Sequence, residues 1–267
     1  MIKLIVTDMD GTFLDTKGKI NEEFYELIEE LNKRNIYFAV ASGRIYTTLD
    51  EDFKRVKDDM ILICNNGAGI QFNHNGEVLY DGTLNKDEFI EMAETLDEEG
   101  IEVIISDSYK VYVKEPSKEL IGAINYDEAP SVILKDFKDL DENIHIQKLS
   151  YIQHIGIQKS FSEKIHGKYK EGYHVAVSGS CWMDITNIKS SKGNAVALVQ
   201  QKLGITHEET LVFGDYYNDL TMFDKAYYSY AMKNAPDDVK SHARFVTKYE
   251  NGENGVIRTI KELLDIK

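Results

Sequence analysis

Residues Lys3 to Thr7 read as a short strand buried on both faces, and the chain runs from it directly into Asp8-Met9-Asp10-Gly11-Thr12. Two carboxylates therefore stand just past the C-terminal end of a strand. A strand covered on both faces belongs to a parallel sheet, and such sheets bind ligands outside their C-terminal strand ends. The format repeats. Ile36 to Ala41 ends in Ser42-Gly43-Arg44, Met60 to Cys64 ends in Asn65-Asn66-Gly67-Ala68-Gly69, and Thr210 to Phe213 ends in Gly214-Asp215-Tyr216-Tyr217-Asn218-Asp219. After the first strand, Asn21 is placed to cap a helix whose Phe24, Leu27, Ile28 and Leu31 share one face. Strand and helix alternating in this way predict an α/β protein with a doubly wound, mostly parallel sheet, its polar loops gathered near a topological switch point.

Between about Thr83 and Ile185 the texture changes. Helical spacing (Phe89, Met92, Ala93, Leu96) mixes with alternating strands such as Tyr109 to Val113 and His174 to Ser178, and the strand-and-helix pattern resumes after Lys192 with a helix over Asn194 to Leu203. The expected organisation is a core of residues 1–82 and 186–267 carrying an inserted α+β module, 83–185. Lys and Arg total 31 against 46 Asp and Glu, a formal charge of −15, which repels phosphate backbones and argues against nucleic acid or an anionic membrane as partner. No apolar run approaches the ~18 residues of a membrane span, and no signal peptide is present, so a cytoplasmic location is expected. Cys64 and Cys181 form no CxxC pair and suit neither a disulfide framework nor a cysteine-rich zinc site.

Asp8 and Asp10 on one loop and Asp215 and Asp219 on another would share one small space if the loops converge. Two carboxylates ~4 Å apart repel by about 4 kcal/mol at an effective dielectric near 20, and protonation or a bound cation relieves this. Oxygen ligands without a histidine cluster point to Mg²⁺, which keeps waters and favours a substrate phosphate, so a small phosphorylated metabolite is the expected partner. Taken singly, each aspartate reads as a turn or cap residue. The coincidence of an apolar strand entering DxDGT and another entering GDxxND is what argues for a site. Ser42-Gly43 supplies a hydroxyl and backbone N–H donors for a phosphoryl oxygen, and Lys192 supplies positive charge. No GxSxG, GxxxxGK[ST] or HExxH pattern occurs, which sets aside serine hydrolases, P-loop NTPases and zinc proteases.

In order along the chain, Asp8-Met9-Asp10-Gly11-Thr12, Ser42-Gly43-Arg44, Lys192-Gly193 and Gly214-Asp215-Tyr216-Tyr217-Asn218-Asp219 resemble the four motifs of haloacid dehalogenase-like phosphatases. Asn66-Gly67-Ala68, Asn234-Ala235 and Gly255-Val256 further resemble the Cof-type branch, and the insertion resembles its type 2 (C2B) cap. The resemblance implies a Rossmann-like core and hydrolysis of phosphate monoesters, sugar phosphates foremost, with Asp8 as nucleophile forming an aspartyl-phosphate. Asp10 would be general acid and then base. Mg²⁺ would be held by Asp8, the Asp10 carbonyl and Asp215, with Asp219 organising the ligands. The backbone N–H groups of Met9 and Gly43, with Ser42, Lys192 and Asn218, would hold the phosphoryl oxygens, and Arg44 and Asn66 would contact the rest of the substrate. The cap would exclude water and select the leaving group, in a monomer or homodimer.

Two other readings share these residues. A phosphosugar mutase would pass the same intermediate to a sugar hydroxyl, and a phospho-accepting signalling switch would use a similar set of acids, hydroxyl and lysine. Asp10 and the insertion of roughly 100 residues favour turnover.

Overall fold

The computed structural model describes residues 1–94, 96, 98 and 100–266. Leu4–Thr7 (β1) is fully buried: Ile5 enters one apolar cluster while Leu4 and Val6 enter another, so both faces of the strand are covered. Glu23–Lys33 (α1) turns Phe24, Leu27, Ile28 and Leu31 into the first cluster, each burial stabilising the fold by about 1.5–3 kcal/mol. Asn21 accepts a hydrogen bond from the Glu23 N–H (2.9 Å), one turn position earlier than an ideal cap. Tyr37–Ala41 (β2), Ile61–Cys64 (β3), Gly69–Phe72 (β4) and Val78–Asp81 (β5) follow, with the short helix Tyr46–Asp52 (α2) after β2.

The inserted segment opens with Lys86–Glu94 (α3), then Glu102–Ser106 (β6), Val111–Lys114 (β7), Lys118–Tyr126 (α4), Ser131–Leu134 (β8), Lys148–Ile152 (β9), Lys159–Tyr169 (α5), Tyr173–Gly179 (β10) and Trp182–Asn187 (β11). The strand expected from Tyr109 begins at Val111 because the Asp107 carboxylate accepts both the Tyr109 and Lys110 N–H groups and folds them into a turn. The expected boundary at 185 falls inside β11, whose pairing with β10 continues to Asn187. The chain then supplies Lys192–Leu203 (α6), Thr210–Gly214 (β12), Leu220–Phe223 (α7), Tyr228–Ala231 (β13), Asp237–His242 (α8), Phe245–Val246 (β14) and Gly255–Leu264 (α9).

Among the described residues the strands form two sheets, of eight and six strands. The first runs β14-β13-β12-β1-β2-β3-β4-β5, parallel from β14 to β3, and closes with two antiparallel strands. β2 lies on one side of β1 and β12 on the other, so the strand order reverses at β1, where a doubly wound sheet opens its crevice. The α/β architecture expected from the sequence is thus observed.

The second sheet runs β10-β11-β9-β6-β7-β8. Pairing sets Ile104, Ser150 and Asp184 side by side, and Ser106 beside Lys148. The alternate residues Ile105, Leu149, Tyr151, Met183 and Ile185 point the other way, into a cluster with Phe89 of α3 and Phe161 of α5. Helix α4 packs on the first face through Leu120 and Ile124, leaving its polar centre turned towards the larger sheet. No helix among the described residues is long and apolar enough to cross a membrane.

Candidate active site

Asp8 follows β1 and is 7% exposed. Its backbone N–H bonds the Phe213 carbonyl of β12 (3.0 Å), continuing the sheet's pairing and fixing where the side chain emerges. Gly11 turns the chain at φ 81°, and a Cβ there would sit 2.4 Å from Asp215 Oδ2, so only glycine lets the two acidic loops meet. The loops do meet: one carboxylate oxygen from each of Asp8, Asp215 and Asp219 lies within 4.8 Å of the others.

Lys192 stands among these acids. Ser191 caps α6 by accepting the Asn194 N–H, which fixes Lys192 as the first helical residue, and its Nζ lies 2.5 Å from Asp8 Oδ1 and 2.7 Å from Asp219 Oδ1. A Cβ on Gly193 would come within 2.0 Å of the Thr221 carbonyl, so this glycine lets α6 and α7 approach closely enough to bring Lys192 to the acids. Burial opposes the ammonium charge, but Asp219 and Asp8 outweigh it and hold the Lys192 pKa above the ordinary lysine value. Burial pushes Asp8 well up, Lys192 pulls it down, and Asp219 and Asp215 push it up again. Burial, then Asp219, raises Asp215 to about 6 despite the hydrogen bond its Oδ1 accepts from Thr12 Oγ1 (2.8 Å). Asp219 is fully buried; its Oδ1 takes Lys192, and its Oδ2 accepts the N–H groups of Asp215 (2.9 Å) and Tyr216 (3.0 Å).

Asp10, two residues beyond Asp8, keeps an exposed side chain (59%) and pairs with Arg44 Nη2 at 3.0 Å. Arg44 also reaches Asp52 (3.0 Å) and Asp127 of the second module (3.5 Å). Ser42, 2% exposed, accepts the Arg44 N–H on Oγ (3.2 Å), tightening the loop after β2. The Gly43 carbonyl accepts Lys148 Nζ at 2.6 Å. Asn218 donates to Asn66 Oδ1 (3.1 Å), and Asn66 Nδ2 donates to Asp184 Oδ2 (2.5 Å).

Asp8, Asp10, Ser42, Gly43, Arg44, Asp215 and Asn218 open on one cleft of about 420 Å³ lined by residues from both sheets and their loops. Met9, fully buried, is placed by the chain between Asp8 and Asp10. Asp219, Lys192 and Asn66 lie behind this surface, bonded to residues that form it. Thr12 and, from the second module, Lys148, Ser150, Asp127 and Asp184 belong to the same constellation and were not singled out by sequence reasoning. The signal was partial: Lys148, Ser150 and Asp184 alternate with apolar neighbours, which marks a polar face of a sheet but not that this face borders the cavity.

The sequence profile of the haloacid dehalogenase-like hydrolases matches residues 5–260, nearly the whole chain. The chain belongs to the haloacid dehalogenase-like hydrolases. The Cof-type resemblance read from the motifs is borne out by the enzyme's relatives. It is 28% identical to the Escherichia coli 5-amino-6-(5-phospho-D-ribitylamino)uracil phosphatase YbjI, over 98% of this chain and 96% of that one. It is 29% identical to a phosphoglycolate phosphatase of Thermoplasma volcanium, over 95% of each chain. The solved structure of SMU.1108c from Streptococcus mutans UA159 superposes with a TM-score of 0.88 at 29% identity, covering 99% of this hydrolase and 100% of that chain. This haloacid dehalogenase-like hydrolase is a phosphoric monoester hydrolase.

Proposed function

We propose that the enzyme hydrolyses phosphate monoesters of small metabolites, sugar phosphates foremost, through an aspartyl-phosphate on Asp8, with Mg²⁺ as cofactor and residues 83–185 as a cap over the site. The observation that carries this reading is the convergence of three carboxylates, buried Asp8 and Asp219 and half-buried Asp215, within 4.8 Å, with the cavity-lining Asp8 followed two residues on by the exposed Asp10. Among the described residues, Lys192 is the cation bonded to these acids, and burial holds Asp8 and Asp215 above their ordinary pKa values. An all-oxygen donor set short of positive charge fits a hard divalent cation. Asp8, the Asp10 carbonyl and Asp215 would hold it, with Asp219 behind them, since both Asp219 oxygens are already engaged. When bound, Mg²⁺ supplies positive charge towards the phosphoryl oxygens.

The Asp8 oxygen not held by Lys192 attacks phosphorus, and the bond to the leaving oxygen breaks as Asp10 gives it a proton. Asp10, now a carboxylate, takes a proton from water; the water oxygen bonds to phosphorus, and the bond to Asp8 breaks. Arg44 holds Asp10 towards the cavity throughout. Ser42, the Met9 and Gly43 N–H groups and Asn218 steady the phosphoryl oxygens, with Lys192 neutralising Asp8 from behind. Phosphate release from a panel of sugar, nucleotide and cofactor phosphates, with Mg²⁺ or EDTA, tests the reading. Mg²⁺-dependent release supports it; isomerisation of a sugar phosphate without release would make the enzyme a mutase instead.

Two expectations attach to these roles. Asp10→Asn lowers kcat on alkyl phosphates by about 10²–10⁴-fold but affects p-nitrophenyl phosphate far less, because nitrophenolate departs without a proton. Steady-state kinetics on both substrates check it, and an equal loss on each would remove Asp10 as the acid.

The second concerns pH. Asp215 has a folded pKa of about 6, above the 3.8 of an unperturbed aspartate, so the metal-free fold binds more protons than the unfolded chain between these values. Its contribution to stability is full below 3.8 and is lost as pH rises through 6. Mg²⁺ at 100 times Kd should raise Tm by about 5–10 °C at pH 7.5 and clearly less at pH 5, where protons compete for its ligands. Thermal denaturation of wild type and Asp215→Asn measures this; a shift that is unchanged in the variant would count against the site.

A further inference from the structure

Past its phosphate-holding end, the cavity is lined by three carboxylates, Asp10, Asp127 and Asp184, and two cations, Arg44 and Lys148. Both cations are already committed. Arg44 is held by Asp10, Asp52 and Asp127, and Lys148 by the Gly43 carbonyl and Asp184 at 3.6 Å. Even with Asp10 protonated as the acid, Asp52, Asp127 and Asp184 outnumber the Arg44 and Lys148 they pair with, so a second anionic group on the substrate would meet an excess of negative charge and, among the described residues lining the cavity, two cations already paired. Uncharged polar partners are, by contrast, present: Thr48, Ser106, Ser150 and Ser178 line the same space. Ile124 and Trp182 give one wall an apolar surface.

We propose that Asp127 and Asp184 are specificity-determining residues that reject leaving groups bearing a second negative charge, so that the enzyme acts on phosphate monoesters of uncharged, hydroxyl-bearing compounds. This rests on the phosphatase reading above and deepens it. It also separates the enzyme by substrate from its phosphoglycolate phosphatase relative, whose named substrate carries a carboxylate on the leaving group.

The test compares kcat/KM for substrates matched in carbon skeleton: glycerol 3-phosphate against 3-phosphoglycerate, and glucose 6-phosphate against 6-phosphogluconate, with p-nitrophenyl phosphate as a turnover control. Wild type should favour the uncharged member of each pair by about tenfold or more. Asp184→Asn and Asp127→Asn should shrink that ratio, and Lys148→Met should widen it. Loss of packing alone would not move the ratio in opposite directions for opposite charges. Equal kcat/KM within the pairs, or preference for the carboxylates, while p-nitrophenyl phosphate is turned over, would overturn the proposal and leave the phosphatase reading standing. No turnover of p-nitrophenyl phosphate by folded, Mg²⁺-supplied enzyme would overturn both.

Discussion

Asp8→Asn should lower kcat for phosphate release by about 10⁴-fold or more, because it removes the group expected to form the covalent bond to phosphorus. The neighbouring acids offer no substitute: both Asp219 oxygens are engaged, and Asp215 is tied to Thr12. The substitution keeps the side chain's shape and leaves Lys192 its bond to Asp219, so the variant should fold. It also removes one of the crowded charges that push Asp215 and Asp8 apart. Loss of activity with Tm equal to or above that of metal-free wild type is therefore the expected pattern. Intact-mass measurement on rapidly quenched wild-type enzyme should show a phosphate adduct that the variant lacks. Activity within tenfold of wild type would exclude Asp8 as the nucleophile.

The largest effect on stability is expected at Lys192. Its Nζ is the cation shared by Asp8 and Asp219, and the side chain is 1% exposed. Lys192→Met keeps the apolar stem but strands two carboxylates in a buried site, and breaking a buried pair in this way costs about 3–5 kcal/mol. Urea denaturation should show that loss in the metal-free protein. The double variant Asp8→Asn, Lys192→Met should recover part of it, since the two residues are in contact and their effects do not add. A loss below about 0.5 kcal/mol would mean that the acids are protonated in the folded state and need no counter-charge.

How much of this was legible in the sequence depends on whether local pattern or tertiary contact does the placing. β1, β2, β3 and β12 were readable because strands covered on both faces are apolar throughout, whatever packs on them. The loops after β1 and β12 stood out because acids follow both strands, a coincidence that turn or cap roles for single aspartates do not explain. The start of β7 was misplaced at Tyr109 because a carboxylate two residues earlier captures its backbone, a competition that alternation of residue types does not register. Lys148, Ser150 and Asp184 escaped because polar residues alternating along a strand look the same facing water or facing a cavity. Asp219 and Lys192 were found as members of motifs, but their burial behind the cavity surface emerges only from how α6 and the loop after β12 pack together.

The inserted sheet keeps most of its apolar contacts on the side of α3 and α5, while Lys148, Ser150 and Asp184 occupy the side facing the cavity. What makes that module cohere is thus largely separate from what it presents to a ligand. On the proposed reading, exchanges at these cavity-facing positions would alter the recognised molecule, but Lys148, Ser150 and Asp184 are buried and bonded to one another, so descendants of such a chain would acquire new substrates by concerted changes that keep this polar network paired while the scaffold is inherited intact.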